Sequence, residues 1–138
     1  MSRGMLAVVL HNLEDNPNQP LTSIFSDVDN TKWYAEGVAW AAEKGIVTGY
    51  GGKFDPNGDI TREQLAVMLW RYAGSPKAKS GTLNFTDAYK VSSWALEAMR
   101  WATEKGIING KGNGILDPTG KATRAQAAQM LKNFLEKQ

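Results

Sequence analysis

Trp40-Ala41-Ala42-Glu43-Lys44-Gly45-Ile46 is answered further along by Trp101-Ala102-Thr103-Glu104-Lys105-Gly106-Ile107. Working upstream from this pair, Trp33 returns as Trp94, and Phe25-Ser26-Asp27 returns as Phe85-Thr86-Asp87. Downstream, Gly49-Tyr50-Gly51 is matched by Gly110-Lys111-Gly112 and Asp55-Pro56 by Asp117-Pro118. Thr61-Arg62-Glu63-Gln64 is matched by Thr123-Arg124-Ala125-Gln126, and Met68-Leu69 by Met130-Leu131. The offset drifts only from 60 to 62 along the chain, so the two copies differ by single insertions in loops. Self-similarity at a period this long is the signature of a repeat architecture. Ser2-Arg3-Gly4-Met5-Leu6-Ala7 aligns with Thr61-Arg62-Glu63-Gln64-Leu65-Ala66. Residues 1–15 therefore read as the C-terminal helix of a truncated repeat, with complete repeats at 24–74 and 85–137 after it. Asn16–Pro20 and Ser75–Gly81 are polar, proline-containing linkers.

Within a repeat the pattern is helix, loop, helix. Trp33, Gly37, Trp40, Ala41 and Lys44 fall at i, i+4, i+7, i+8 and i+11, one face of a helix. Gly45 stands where a left-handed C-terminal residue would end it. A glycine-rich stretch comes next, with Asp55-Pro56-Asn57-Gly58 as a turn signal. Thr61 and Gln64 then have the spacing of a capping box, repeated by Thr123 and Gln126. Leu65, Met68, Leu69 and Tyr72 supply the apolar stripe of that second helix. No useful alternation of period two occurs, so the predicted fold class is mainly α.

Composition narrows the function. Sixteen basic residues against fourteen acidic ones, scattered along the chain, argue against a nucleic-acid partner. Without cysteine there is neither a disulfide nor a thiolate metal site. No run approaches the roughly 20 apolar residues of a membrane span, so no membrane insertion is expected. Met5–Leu10 is too short for the apolar core of a signal peptide, and no small-residue cleavage site comes after it. Asp55, Asn57 and Asp59 imitate a calcium loop, but Ile60 replaces its glycine, Ala66 its terminal glutamate, and Lys121 intrudes in the second copy. No metal or cofactor is expected. His11 is the only histidine, and Glu43/Glu104 and Asp55/Asp117 recur at equivalent positions where an enzyme would have one asymmetric site. A non-catalytic module is the expectation.

Taken in order, a Phe-x-Asp opening, a tryptophan helix ending in Glu-Lys-Gly-Ile, a Gly-x-Gly loop with Asp-Pro, and a Thr-Arg helix resemble S-layer homology repeats. The second helix reads Ile60-Thr61-Arg62-Glu63-Gln64 and Ala122-Thr123-Arg124-Ala125-Gln126, with Gln in place of the family's closing Glu. The resemblance implies helix-loop-helix repeats in a pseudo-threefold arrangement around a central three-helix bundle. It implies non-covalent anchoring at the bacterial cell wall or S-layer, through an anionic secondary cell-wall polysaccharide carrying pyruvate ketals. The alternative is a surface module that assembles with other protein chains and binds no carbohydrate.

The candidate ligand-binding residues are Arg62, Arg124 and Arg3, with Trp33, Trp94, Asp27, Asp87, Gly51 and Gly112. Arginine just inside a helix start combines a guanidinium fork with free N–H groups, a combination suited to a carboxylate. These arginines are expected to be exposed; the competing reading has each one salt-bridged to Asp27 or Asp87. Trp33 and Trp94 are expected to be exposed for stacking on sugar, whereas Trp40 and Trp101 are expected in the core and Trp70 at a surface or interface. Because the truncated repeat lacks its tryptophan helix, its remaining helix is expected to keep an apolar outer face and to promote a homodimer.

Overall fold

The computed structural model describes residues 1–21, 24–79 and 81–137, so Ser80 of the second linker lies outside the described residues. Among the described residues five α-helices carry the fold: α1 (Arg3–Leu13), α2 (Ala35–Glu43), α3 (Arg62–Tyr72), α4 (Leu96–Glu104) and α5 (Arg124–Glu136). Two single 3₁₀ turns, Ala88–Lys90 and Ser93–Ala95, precede α4. Among the described residues there is no strand, only isolated bridges. The chain is mainly α, as its periodicity predicts.

Local chemistry sets the helix ends. Thr61 and Thr123 both close capping boxes, with Gln64 and Gln126 returning the bond to the cap backbone. Ser2 caps α1 by accepting from the Met5 amide, at 3.1 Å. At the other end of α2, Gly45 adopts φ +74°, which lets Ile46 N–H reach the Ala41 carbonyl (2.9 Å) and Gly45 N–H the Ala42 carbonyl (3.1 Å). Gly106, Ile107, Ala102 and Thr103 repeat this stop on α4. The helical face drawn from Trp33 needs one correction. α2 begins only at Ala35, and Trp94 sits in the 3₁₀ turn before α4, so both tryptophans precede their helices.

The chain divides into two compact units, Met1–Asp59 and Ile60–Gln138, a division that does not coincide with the sequence repeats. In the first unit α1 packs on α2. Gly37 makes that approach close, since a β-carbon there would lie 3.1 Å from the Val8 backbone. Leu6, Ala7, Leu10, Val38, Trp40 and Ala41 are buried there. In the second unit α3 packs on α4, and α5 contributes Phe134, edge-on to Trp101 at 6.3 Å and tilted against Tyr72 at 5.9 Å. Each Thr-Arg-type helix with another repeat after it thus packs on that repeat's tryptophan helix. α1 accordingly packs on α2, the tryptophan helix of the repeat that follows it.

Each linker is fastened to the next helix along the chain. Glu36 and Glu43 of α2 accept from Gln19, through its backbone N–H and its side-chain amide. Glu97 and Glu104 of α4 accept from the amides of Ala78 and Lys79, at 2.8 and 3.0 Å. His11 Nε2 donates to the Pro17 carbonyl at 2.8 Å, and the Trp70 indole donates to the Pro76 carbonyl at 2.7 Å. The recurring glutamates are therefore structural, and half-buried Trp70 does for the second linker what buried His11 does for the first.

Candidate functional site

The site begins with the aspartate of the Phe-x-Asp opening. Asp87 Oδ1 accepts from the Leu116 amide and Oδ2 from the Asp117 amide, each at 2.8 Å. Asp27 does the same with Phe54 (2.9 Å) and Asp55 (2.8 Å). For Asp87 the Leu116 N–H is the strongest influence and outweighs burial, holding its pKa below the ordinary carboxylate value. For Asp27 burial is the largest single influence and opposes ionisation, but the N–H groups of Phe54 and Asp55 together win, and its pKa is lowered as well. Both carboxylates fix the loop ahead of the Asp-Pro turn.

That loop then holds an arginine. The carbonyl of Leu116, whose amide is tied to Asp87, accepts from Arg62 Nε at 2.9 Å, and the Asn109 carbonyl accepts from Arg62 Nη2 at 2.9 Å. In the first unit the Phe54 carbonyl accepts from Arg3 Nε at 2.7 Å, and the guanidinium lies 4.8 Å from the centre of the Phe54 ring. Arg62 is only 3% exposed, contrary to the expected exposure, and Arg3 is half-buried. Neither forms a salt bridge with Asp27 or Asp87; their partners are backbone carbonyls. Burial pulls the pKa of Arg62 down, with Asp117 and Asp87 acting in the other direction. Arg124 is exposed.

Arg62 opens onto a cavity of about 340 Å³ in the second unit, with Asn109, Lys111, Gln126, Gln129 and Asn133 around it and Ile107 and Met130 as apolar lining. Its lining includes two cations and four side-chain amides but no carboxylate. Lys111 Nζ is held 2.9 Å from Asp117 Oδ2 at the rim. Gln129 donates to the Asn133 side chain (2.9 Å), and Asn133 donates to the Ile107 carbonyl (3.2 Å), so the amides are oriented before any ligand arrives. Amides read hydroxyl groups, and a cation whose nearest partners are neutral carbonyls suits a negative group.

The remaining candidates lie apart from this cavity. Trp33 and Trp94 are 62% and 53% exposed, against 3% and 4% for Trp40 and Trp101, so the expected division of the tryptophans holds. Neither exposed ring lines the cavity, nor do Arg124 and Gly112. Gly51 and Gly112 have positive φ with open space around them, whereas Gly49 and Gly110 are crowded: a β-carbon would lie 2.4 Å and 2.7 Å from the rings of Phe25 and Phe85. The close approach that these glycines permit is to the opening phenylalanine. Lys111, Asn109, Gln129 and Asn133 are not among the candidates drawn from the sequence. A signal existed, since Gln126, Gln129 and Asn133 form an i, i+3, i+7 polar stripe on α5 where α3 has Gln64, Val67 and Arg71.

Residues 24–66 and 84–128, over half of the chain, match the family model of the S-layer homology domain. The chain belongs to the S-layer homology family. Over 99% of its length it is 33% identical to an amylopullulanase of Thermoanaerobacterium thermosulfurigenes, of which it spans 8%. It is 31% identical over 95% of its length to the S-layer protein sap of Bacillus anthracis, spanning 15% of that protein. It is 36% identical over 67% of its length to a cellulosome-anchoring protein of Acetivibrio thermocellus, spanning 21% of it. The S-layer homology chain thus matches a small part of each relative, and that part is shared by proteins named for quite different activities. No helix among the described residues is long and apolar enough to cross a membrane.

Proposed function

We propose that this S-layer homology chain is a non-catalytic anchor that tethers a larger surface protein to the bacterial cell wall. It does so by holding an anionic secondary wall polysaccharide, bearing pyruvate ketals, in the cavity at Arg62. The supporting observation is the guanidinium itself: 3% exposed, hydrogen-bonded to neutral carbonyls, and bordering a cavity whose lining holds no carboxylate. A buried charge without a counter-charge in contact costs several kcal/mol. A ligand carboxylate would supply that contact, with Lys111 as a second one and the amides of Asn109, Gln129 and Asn133 for ring hydroxyls. Relatives named for S-layers and for cellulosome anchoring fit this reading.

Lys111 is the better handle for a test, because it is half-exposed and supports no helix. The chain should sediment with purified wall sacculi and remain in solution once the secondary polymer has been stripped from them. Lys111→Gln should weaken sedimentation by about tenfold, the size of one charge-assisted contact, without moving the melting temperature. Equal binding to stripped and intact walls would remove the polysaccharide from the account. Undiminished binding by Lys111→Gln would remove this cavity.

A further inference from the structure

Asparagine is followed by glycine at Asn57-Gly58, Asn109-Gly110 and Asn113-Gly114. The dipeptide is chemically labile, because glycine has no β-carbon to keep its nitrogen away from the neighbouring side-chain amide. All three asparagines are exposed. Their surroundings differ, and the differences fall on the glycine nitrogen that has to attack.

At Asn57 that nitrogen is engaged. Gly58 N–H donates to the Asp55 carbonyl at 3.2 Å, and the Asp55 carboxylate stands where a Gly58 β-carbon would. A carboxylate there opposes loss of the amide proton. At Asn109 the opposite holds. Among the described residues nothing accepts from Gly110 N–H, and the Asn109 side-chain amide has no hydrogen-bond partner. The carbonyl of that same peptide group accepts from Arg62 Nη2 at 2.9 Å. When Gly110 loses its proton, the negative charge spreads onto this oxygen, so the guanidinium stabilises the attacking form. Gly114 N–H is free as well among the described residues, but no cation bonds the Asn113 carbonyl. The first repeat has Thr48-Gly49 where the second has Asn109-Gly110, and so no amide to lose.

We propose that Asn109 is a site of spontaneous deamidation at which the chain places a carboxylate of its own against Arg62. The deprotonated Gly110 nitrogen attacks Cγ of Asn109, the new N–C bond closes a succinimide ring, and the side-chain nitrogen leaves as ammonia with the proton. Water then adds to either ring carbonyl and cleaves its bond to the ring nitrogen; it is the only co-reactant. Cleavage on the side-chain carbonyl gives aspartate, with the carboxylate in the cavity lining that Asn109 supplies. Cleavage on the main-chain carbonyl gives isoaspartate, whose free carboxylate is the former acceptor of Arg62 Nη2. In both products the cavity holds the counter-charge that an anionic ligand would bring, and anion binding is lost as the chain ages. The reaction at Asn109 does not depend on what the cavity binds; its effect at the wall rests on the polysaccharide reading.

The test is to incubate the full chain at mildly alkaline pH, folded and in urea, and to follow the three asparagines by peptide mapping. In the folded chain Asn109 should convert at least about tenfold faster than Asn57, the effect of one pKa unit on the ionised fraction. In urea, where Arg62 and Asp55 no longer hold their places, that preference should shrink. An Asn109 that lasts as long as Asn57 in the folded chain would overturn the proposal, and so would a preference undiminished by urea. The consequence is read with two charge-matched variants, since Asn113 does not line the cavity. Asn109→Asp should sediment with wall sacculi at least about tenfold more weakly than Asn113→Asp, the cost of setting like charges together. Equal sedimentation of the two would overturn the loss of binding. A native chain that does not sediment at all would count against the polysaccharide reading, and the peptide maps would still decide the deamidation.

Discussion

Asp87, the Leu116 peptide and Arg62 form a relay in which a carboxylate orients a peptide group and the peptide group orients a cation. Replacing Asp87 by Asn leaves an N–H pair facing a neutral amide and should cost about 1.5–3 kcal/mol at neutral pH, the range for a hydrogen bond to a charged group. The pKa of Asp87 is lower in the fold than in the unfolded chain. Its contribution is therefore complete above the unfolded value of about 3.9 and lost as the pH falls through the depressed folded value. Melting curves should show the Asp87→Asn deficit at pH 7 narrowing below about pH 4; a deficit constant down to strongly acid pH would contradict the relay. The tryptophans divide at the same scale. Trp40→Ala and Trp101→Ala should cost about 3–5 kcal/mol as core truncations, whereas Trp33→Ala and Trp94→Ala should cost under about 1 kcal/mol as surface changes. Equal losses from all four would refute the division. The spacing alone did not carry that division, since it put Trp33 and Trp40 on one helical face; α2 begins only at Ala35, and this leaves Trp33 outside the helix and exposed. The burial of Arg62 was not legible. Its acceptors are backbone carbonyls 47 and 54 residues away, and a carbonyl leaves no mark in a sequence.

At the scale of elements, the helix ends were readable because their chemistry is local. A threonine with glutamine three residues later, and a glycine after Glu-Lys, each specify a bond within a few residues. Gly45→Ala and Gly106→Ala should each cost about 1 kcal/mol, since alanine must adopt a positive φ there. A wild-type melting temperature for either variant would argue against the left-handed stop. The connections between helices were less legible. In sequence the linkers look like free polar connectors, yet Glu36, Glu43, Glu97 and Glu104 fasten them through backbone and amide groups. Of these, only Glu43 and Glu104 stand out in the sequence by their recurrence, which fits a shared binding role as well as a structural one.

For the whole molecule, the repeat that evolution copied and the unit that packs are out of phase. Sequence periodicity places the cuts at the polar linkers, in keeping with family-model matches over 24–66 and 84–128. Packing cuts at Asp59 and Ile60, because a Thr-Arg helix finds its turn carbonyls and its tryptophan helix in the next repeat. This phase shift puts Arg62 of one repeat beside Asn109, Lys111 and Gln129 of the next, so that the cavity draws on two repeats and no single one contains it. The central claim is that this cavity receives a carboxylate carried by the wall polymer. Its most direct test is a titration of the chain with purified secondary polymer before and after chemical removal of the pyruvate ketals. The account predicts saturable binding to the pyruvylated polymer that weakens with added salt and falls at least about a hundredfold when the ketals are removed, the scale of a paired charge-assisted contact. Equal affinity for the two polymers would contradict it.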